Sequence, residues 1–148
     1  RSGMNRWQAH FMAVAETTAK LSKDPSTKVG AVAVLDRRII STGYNGLPAT
    51  VTDKVSRLEH RETKLLMTVH AEANCVADAA RRGVSLNGAE IYITHPSCPH
   101  CAGLLIQAGV AKVYNPPASR EFLMRWAEPL RIAQEMFTES GVTTMELH

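Results

Sequence analysis

Two short clusters, His70-Ala71-Glu72 and Cys98-Pro99-His100-Cys101, constrain this chain more than any other feature, because their side chains suit a single shared cation. One imidazole and two thiols supply three ligands for Zn²⁺, leaving the fourth tetrahedral position to water. That is the pattern of a metal that does chemistry rather than one that only holds a fold. Glu72 is not a ligand. It lies two residues past His70, off the metal-facing direction but within reach of the water and a substrate together. Any fold of this chain must therefore bring the segment that starts at residue 70 against the one that starts at 98.

Both clusters stand at predicted helix starts. The alanine-rich run from His70 to Arg82 reads as a helix stopped by Gly83, and Cys98 opens another that ends near Gly109. Cys98 and Cys101 then share one face of a first turn, where the helix dipole and free N–H groups favour thiolates. A structural zinc site would need a fourth ligand. Cys75 is five helical positions from His70, which turns it about 140° away. His95 and His100 are nearer in sequence, although His100, inside the cysteine pair, would have to fold back on itself. Glu72 also has a plainer reading, as a helix-start carboxylate favoured by the dipole.

The rest of the chain supplies a scaffold of ordinary composition. Its 148 residues suit one compact domain over 4–148, with Arg1-Ser2-Gly3 before Met4 read as a vector-derived remnant. Trp7, Phe11, Val14, Ala15 and Leu21 recur at helical spacing and predict a helix over 5–22. Val29 to Leu35 and Ile39 to Tyr44 read as a hairpin turning at Asp36-Arg37-Arg38, and the polar stretch 45–69 as a functional or partly helical connection. Further strands are expected at Ile91 to Thr94, Lys112 to Tyr114 and Val142 to Leu147, with a helix over Arg120 to Ser140 kinked by Pro129. The order α-β-β-α-β-α-β-α-β predicts a mixed sheet with helices on its faces. No apolar run or signal peptide suggests a membrane, and three cysteines, two of them at metal spacing, suggest a reducing cytoplasm. A net charge of +3 suits an anionic small molecule.

These motifs resemble the deoxycytidylate (dCMP) deaminases of the zinc-dependent cytidine deaminase-like superfamily, whose signature is H-x-E with P-C-x-x-C. Ser22 to Ala31 is similar to that family's first loop and strand, and Gly43-Tyr44-Asn45-Gly46-Leu47-Pro48 to its GYNGxP turn. His70-Ala71-Glu72-Ala73-Asn74 matches HAExN, and Ile106 to Val110 the stretch after the second cysteine. The resemblance implies a three-layer α/β/α fold around a five-stranded mixed sheet. It implies hydrolysis of dCMP to dUMP and ammonia, with Glu72 catalytic and His70, Cys98 and Cys101 holding one Zn²⁺. It further implies a homo-oligomer, commonly a hexamer, activated by dCTP and inhibited by dTTP, with Mg²⁺ accompanying a triphosphate effector.

Other residues carry a functional and a plainer reading side by side. Asn45 and Gly46 suggest a left-handed turn, and by resemblance a contact to deoxyribose or effector. Lys64 suggests a phosphate contact or a solvated lysine, with Arg57, Arg61 and Arg120 as lesser candidates. Asn74 braces the metal loop or caps locally, His95 lines a base pocket, and Cys75 is a small buried hydrophobe. The chain departs from the family pattern at Ser97, where Pro is usual before the first cysteine. Ala102-Gly103 is similar to tRNA adenosine deaminases, and Pro116 to Arg120 lacks the Tyr common in that loop. Alternatives are a deaminase of another cytosine nucleotide or of tRNA adenosine, or a non-enzymatic zinc or nucleotide-sensing protein. Asp53, Glu59 and Glu62 interrupt the basic residues near the pocket, which speaks against a nucleic-acid surface.

Overall fold

A computed structural model of the protein describes residues 3–148, so Arg1 and Ser2 of the expected remnant lie outside the described residues. Helix α1 (Arg6–Ala19) leads into the hairpin β1 (Gly30–Leu35) and β2 (Arg38–Tyr44). Two short helices follow, α2 (Val55–Glu59) and α3 (Arg61–Met67), and then α4 (Ala71–Arg82). Strand β3 (Glu90–Ile93), helix α5 (Pro99–Gln107), strand β4 (Lys112–Asn115), helix α6 (Arg120–Ser140) and strand β5 (Thr143–Glu146) complete the chain.

The five strands form one sheet in the order β2-β1-β3-β4-β5. β1 pairs antiparallel with both β2 and β3, whereas β3-β4 and β4-β5 are parallel and are bridged by α5 and α6. β1 is apolar at successive positions because it is central and covered on both faces. Ala31 and Ala33 face a core shared with α4, α5 and α6; Val32 and Val34 face α1 through Phe11, Met12 and Ala15. The expected three-layer α/β/α arrangement around a five-stranded mixed sheet is the one observed.

Local differences from the expectation have local causes. α1 opens with a capping box between Asn5 and Gln8 and ends at Ala19, so Leu21 falls beyond the helix and is exposed. The hairpin turn is only two residues long, Asp36 and Arg37, both left-handed at φ 52° and 60°. Two positive φ values match the right-handed twist of the flanking strands. Neither Asn45 nor Gly46 takes the left-handed conformation expected of them. Gly46 instead exchanges backbone hydrogen bonds with Val69 at 3.1 and 2.8 Å, which ties the start of the 45–69 connection to its end. In α6 the non-helical residue is Trp126 (φ −120°, ψ 20°), three positions before Pro129. The proline ring removes an N–H and crowds the carbonyl of residue 125, so the distortion appears in the preceding turn.

Candidate metal and catalytic centre

β3 ends at the loop that carries Cys98, and the parallel β3-α5-β4 unit places the start of α5 beside that strand end. α4 packs over β2 and β1 so that its own start meets the same point. Gly43 permits this approach, since a Cβ there would collide with Ala71 O and Cys75 N of α4. His70 and Cys98 are the N-cap residues of α4 and α5, and Pro99 occupies the first turn of α5, where its missing N–H is not needed.

His70 Nδ1 lies 3.6 Å from Cys98 Sγ and 3.4 Å from Cys101 Sγ, and the three ligand atoms lie within 4.8 Å of one another. A tetrahedral Zn²⁺ with Zn–N near 2.05 Å and Zn–S near 2.3 Å sets nitrogen and sulfur about 3.5 Å apart. The residues therefore fit the metal. Among the described residues no other His, Cys, Asp or Glu joins this group, so Cys75, His95 and His100 do not close the sphere. Cys75 is buried elsewhere, with Sγ 3.1 Å from Ser41 Oγ, and burial pushes its thiol up to about 11.

The groups are electrostatically interlocked. A hydrogen bond from Cys101, and then His70, pulls the Cys98 thiol down to about 3, while the hydrogen bond to Cys98 holds Cys101 well above the usual thiol range. His70 is raised, chiefly by its hydrogen bond to Cys98. Glu72 is only 4% exposed, and burial raises its carboxyl above the ordinary value. Its charge acts on both His70 and Cys101, so its carboxylate lies near the ligand cluster without joining the three ligand atoms.

The other residues singled out from the sequence are placed unevenly. Asn74 Nδ2 donates to Tyr44 O at 2.7 Å and Val69 O at 3.3 Å, so it braces the strand end and the residue just before His70. Asn45 is buried; its Oδ1 accepts from Val29 N at 2.8 Å and its Nδ2 donates to Thr27 O at 2.8 Å. One N–H and one lone pair of that amide remain. His95 Nδ1 lies 3.0 Å from Pro96 O, and its ring meets Phe122 edge-on at 4.5 Å.

Lys64 departs from both of its readings. It is neither solvated nor free for a phosphate: it is 4% exposed, with Nζ 3.1 Å from Asp24 Oδ1 and 3.2 Å from Ser26 Oγ. Asp24 also accepts from Ser26 N and Thr27 N at 2.8 and 3.0 Å. Sequence reasoning missed Asp24 as the partner because the two residues are 40 positions apart; the carboxylate within Ser22 to Thr27 was the available signal. It also recorded Ser97 only as a departure, although this residue is buried against the site.

A mixed α/β/α sheet with a His/Cys/Cys cluster at two helix starts and a buried carboxylate beside it defines a metal-dependent hydrolytic class of protein. The family profile of the cytidine and deoxycytidylate deaminase zinc-binding region matches residues 5–115. The chain belongs to that family. It is 43% identical over 139 residues to an Aliivibrio fischeri protein named "Uncharacterized deaminase in luxG 3'region", covering 94% of this chain and 92% of that one. It is 39% identical to a probable deoxycytidylate deaminase of Drosophila melanogaster over 72% of this chain, and spans 57% of that relative's length. The crystal structure of dCMP deaminase from the cyanophage S-TIM5 in complex with dCMP and dUMP superposes with a TM-score of 0.78 at 26% identity, covering 97% of this chain and 99% of that one. Among the described residues no helix is long and apolar enough to cross a membrane.

Proposed function

We propose that this protein is a hydrolytic deaminase converting dCMP to dUMP and ammonia, with His70, Cys98 and Cys101 holding Zn²⁺ and Glu72 moving the protons. The observation that carries this reading is the buried Glu72 carboxylate set against a three-ligand cluster. The cyanophage structure with dCMP and dUMP and the name of the Drosophila relative support the choice of substrate.

When bound, Zn²⁺ supplies a water whose pKa falls toward about 7. Glu72 accepts the proton this water gives up and delivers it to the ring nitrogen beside the carbon under attack. A carbon–oxygen bond forms there as the ring C=N bond becomes single. Glu72 then takes the proton of the newly added hydroxyl and passes it to the exocyclic nitrogen; the carbon–nitrogen bond breaks, the carbonyl of the product forms and ammonia leaves. Asn74 holds the start of α4 in place during these steps through Tyr44 O and Val69 O. The His95–Phe122 pair offers an aromatic wall for the base, and Asn45, with Gly46, offers its remaining amide capacity to the sugar.

The same reading places the enzyme in a cytoplasm reducing enough to keep its thiols free, feeding dUMP to thymidylate synthesis. By resemblance it extends to dCTP activation and dTTP inhibition, with Mg²⁺ accompanying the triphosphate. Exposed Val55, Leu65 and Leu66 on α2 and α3, and Met124 on α6, support a homo-oligomer, a hexamer by the same resemblance.

Ammonia release from the zinc-loaded protein, offered dCMP, CMP, cytidine, dCTP and a tRNA anticodon hairpin, tests the assignment. Turnover of dCMP foremost is expected. Glu72→Gln should retain zinc and lose at least about 10²–10⁴-fold in rate. Normal turnover by that variant would refute the proton-transfer role.

A further inference from the structure

A cavity of about 610 Å³ lies between α6 and the carboxyl ends of β4 and β5, beside the loop that leads to Cys98. None of His70, Glu72, Cys98 or Cys101 lines it, so it is a separate space from the metal centre. β3, β4 and β5 run parallel toward it, and open α/β sheets take their ligands beyond the carboxyl ends of such strands. Its size is that of a small-molecule site.

The lining limits what could fill it. Val113, Leu123, Leu130 and Phe137 make the walls apolar, and Phe137 adds an aromatic face. Asn115 and Glu146, register partners across β4 and β5, set polar groups at the strand end. Among the described residues that line the cavity, Glu146 is the only charged one and no lysine or arginine is present. An anion entering here would lose its hydration and meet a carboxylate in return.

Ser97 lines the cavity from the Cys98 loop. It is 6% exposed, and its Oγ is buried with no hydrogen-bond partner in the protein. The other neutral polar side chains of the lining already donate. Asn115 Nδ2 reaches Pro116 O at 2.8 Å, Gln134 Nε2 reaches Thr138 Oγ1 at 3.2 Å, and Thr144 Oγ1 reaches Gln134 Oε1 at 3.2 Å. A buried hydroxyl left unpaired is unfavourable, and an acceptor brought into the cavity would relieve it.

We propose that this cavity is a binding site for an uncharged heteroaromatic molecule, whose ring acceptor takes the Ser97 hydroxyl while its faces pack between α6 and the strand ends. The site rests on the cavity alone and stands whatever reaction the metal centre performs.

Calorimetric titration of the full chain tests it with two near-isosteres. N-methylbenzimidazole carries a ring-nitrogen acceptor, and N-methylindole lacks it. Saturable binding of N-methylbenzimidazole at about 1 mM or tighter is expected. N-methylindole should bind about three- to tenfold more weakly, the range of one neutral hydrogen bond. A ring-carboxylated N-methylbenzimidazole should bind more weakly than either. Ser97→Ala should erase the preference between the two neutral ligands, and Leu130→Trp, which narrows the cavity, should weaken both. Circular dichroism checks that each variant is folded; if Leu130→Trp is not, the ratio in Ser97→Ala decides. A ring nitrogen can also ligate zinc, so the titration is repeated on chelator-treated protein, where binding and the ratio should persist. Absence of saturable binding, loss of binding with the metal, tighter binding of the carboxylate, or a ratio unchanged in Ser97→Ala would each overturn the assignment.

Discussion

Lys64 and Asp24 form a buried ion pair at 3.1 Å, with side chains 6% and 10% exposed. Such a pair is weak evidence for net stability, because desolvation offsets the attraction, but removing one partner strands the other charge. Lys64→Met is therefore expected to lose about 3–5 kcal/mol in denaturant unfolding. Burial alone would raise the Asp24 carboxyl, yet the N–H groups of Thr27 and Ser26, followed by the Lys64 ammonium, bring it below its ordinary value. A carboxyl lowered on folding contributes stability above its unfolded pKa of about 3.9, and that contribution is lost as pH falls through the lower folded value. The difference between parent and variant should accordingly be steady near neutrality and shrink in acid, as unfolding curves across pH would show. A gap that widens in acid would contradict the pairing.

At the scale of elements, the site depends on how closely α4 lies on the sheet. β2 reaches the backbone of α4 through Gly43, which has no side chain to hold the two apart. Gly43→Ala should push the start of α4 outward, displacing His70 and Glu72 together. Overpacking of this kind is worth about 1–3 kcal/mol of destabilisation, measurable by thermal melting. Zinc content per folded chain should fall with it, since His70 no longer meets the thiols. Full zinc occupancy in a well-folded Gly43→Ala protein would show that the helix start tolerates displacement. The same reasoning explains the tight cooperation of Asn74, whose amide links the end of β2 to the residue preceding the ligand.

For the whole molecule, the two cores on either side of the sheet contain none of the three ligand side chains except Cys101 at their margin. The fold is therefore expected to persist when the metal is removed, unlike small domains that are unfolded when stripped. A chelator should lower the melting temperature, because binding to the native state is lost, while far-ultraviolet circular dichroism at room temperature keeps its helical and strand content. Collapse of that spectrum on chelation would mean that the zinc site nucleates the fold. What was legible beforehand and what was not divides by the range of the interaction. The strand and helix order, and the pairing of two cysteines and of a histidine with an acid at two helix starts, follow from spacings within one or two helical turns, where periodicity maps residues onto one face. The switch of Lys64 from presumed phosphate contact to buried partner of Asp24, the commitment of Asn45 to the 27–29 loop and the unpaired hydroxyl of Ser97 arise between segments far apart in the chain. Sequence alone determined which chemistry this protein carries, because metal ligation is encoded in short, local patterns. Tertiary packing decided which polar groups are free to use it, because burial and partner choice exist only once distant segments are brought into contact.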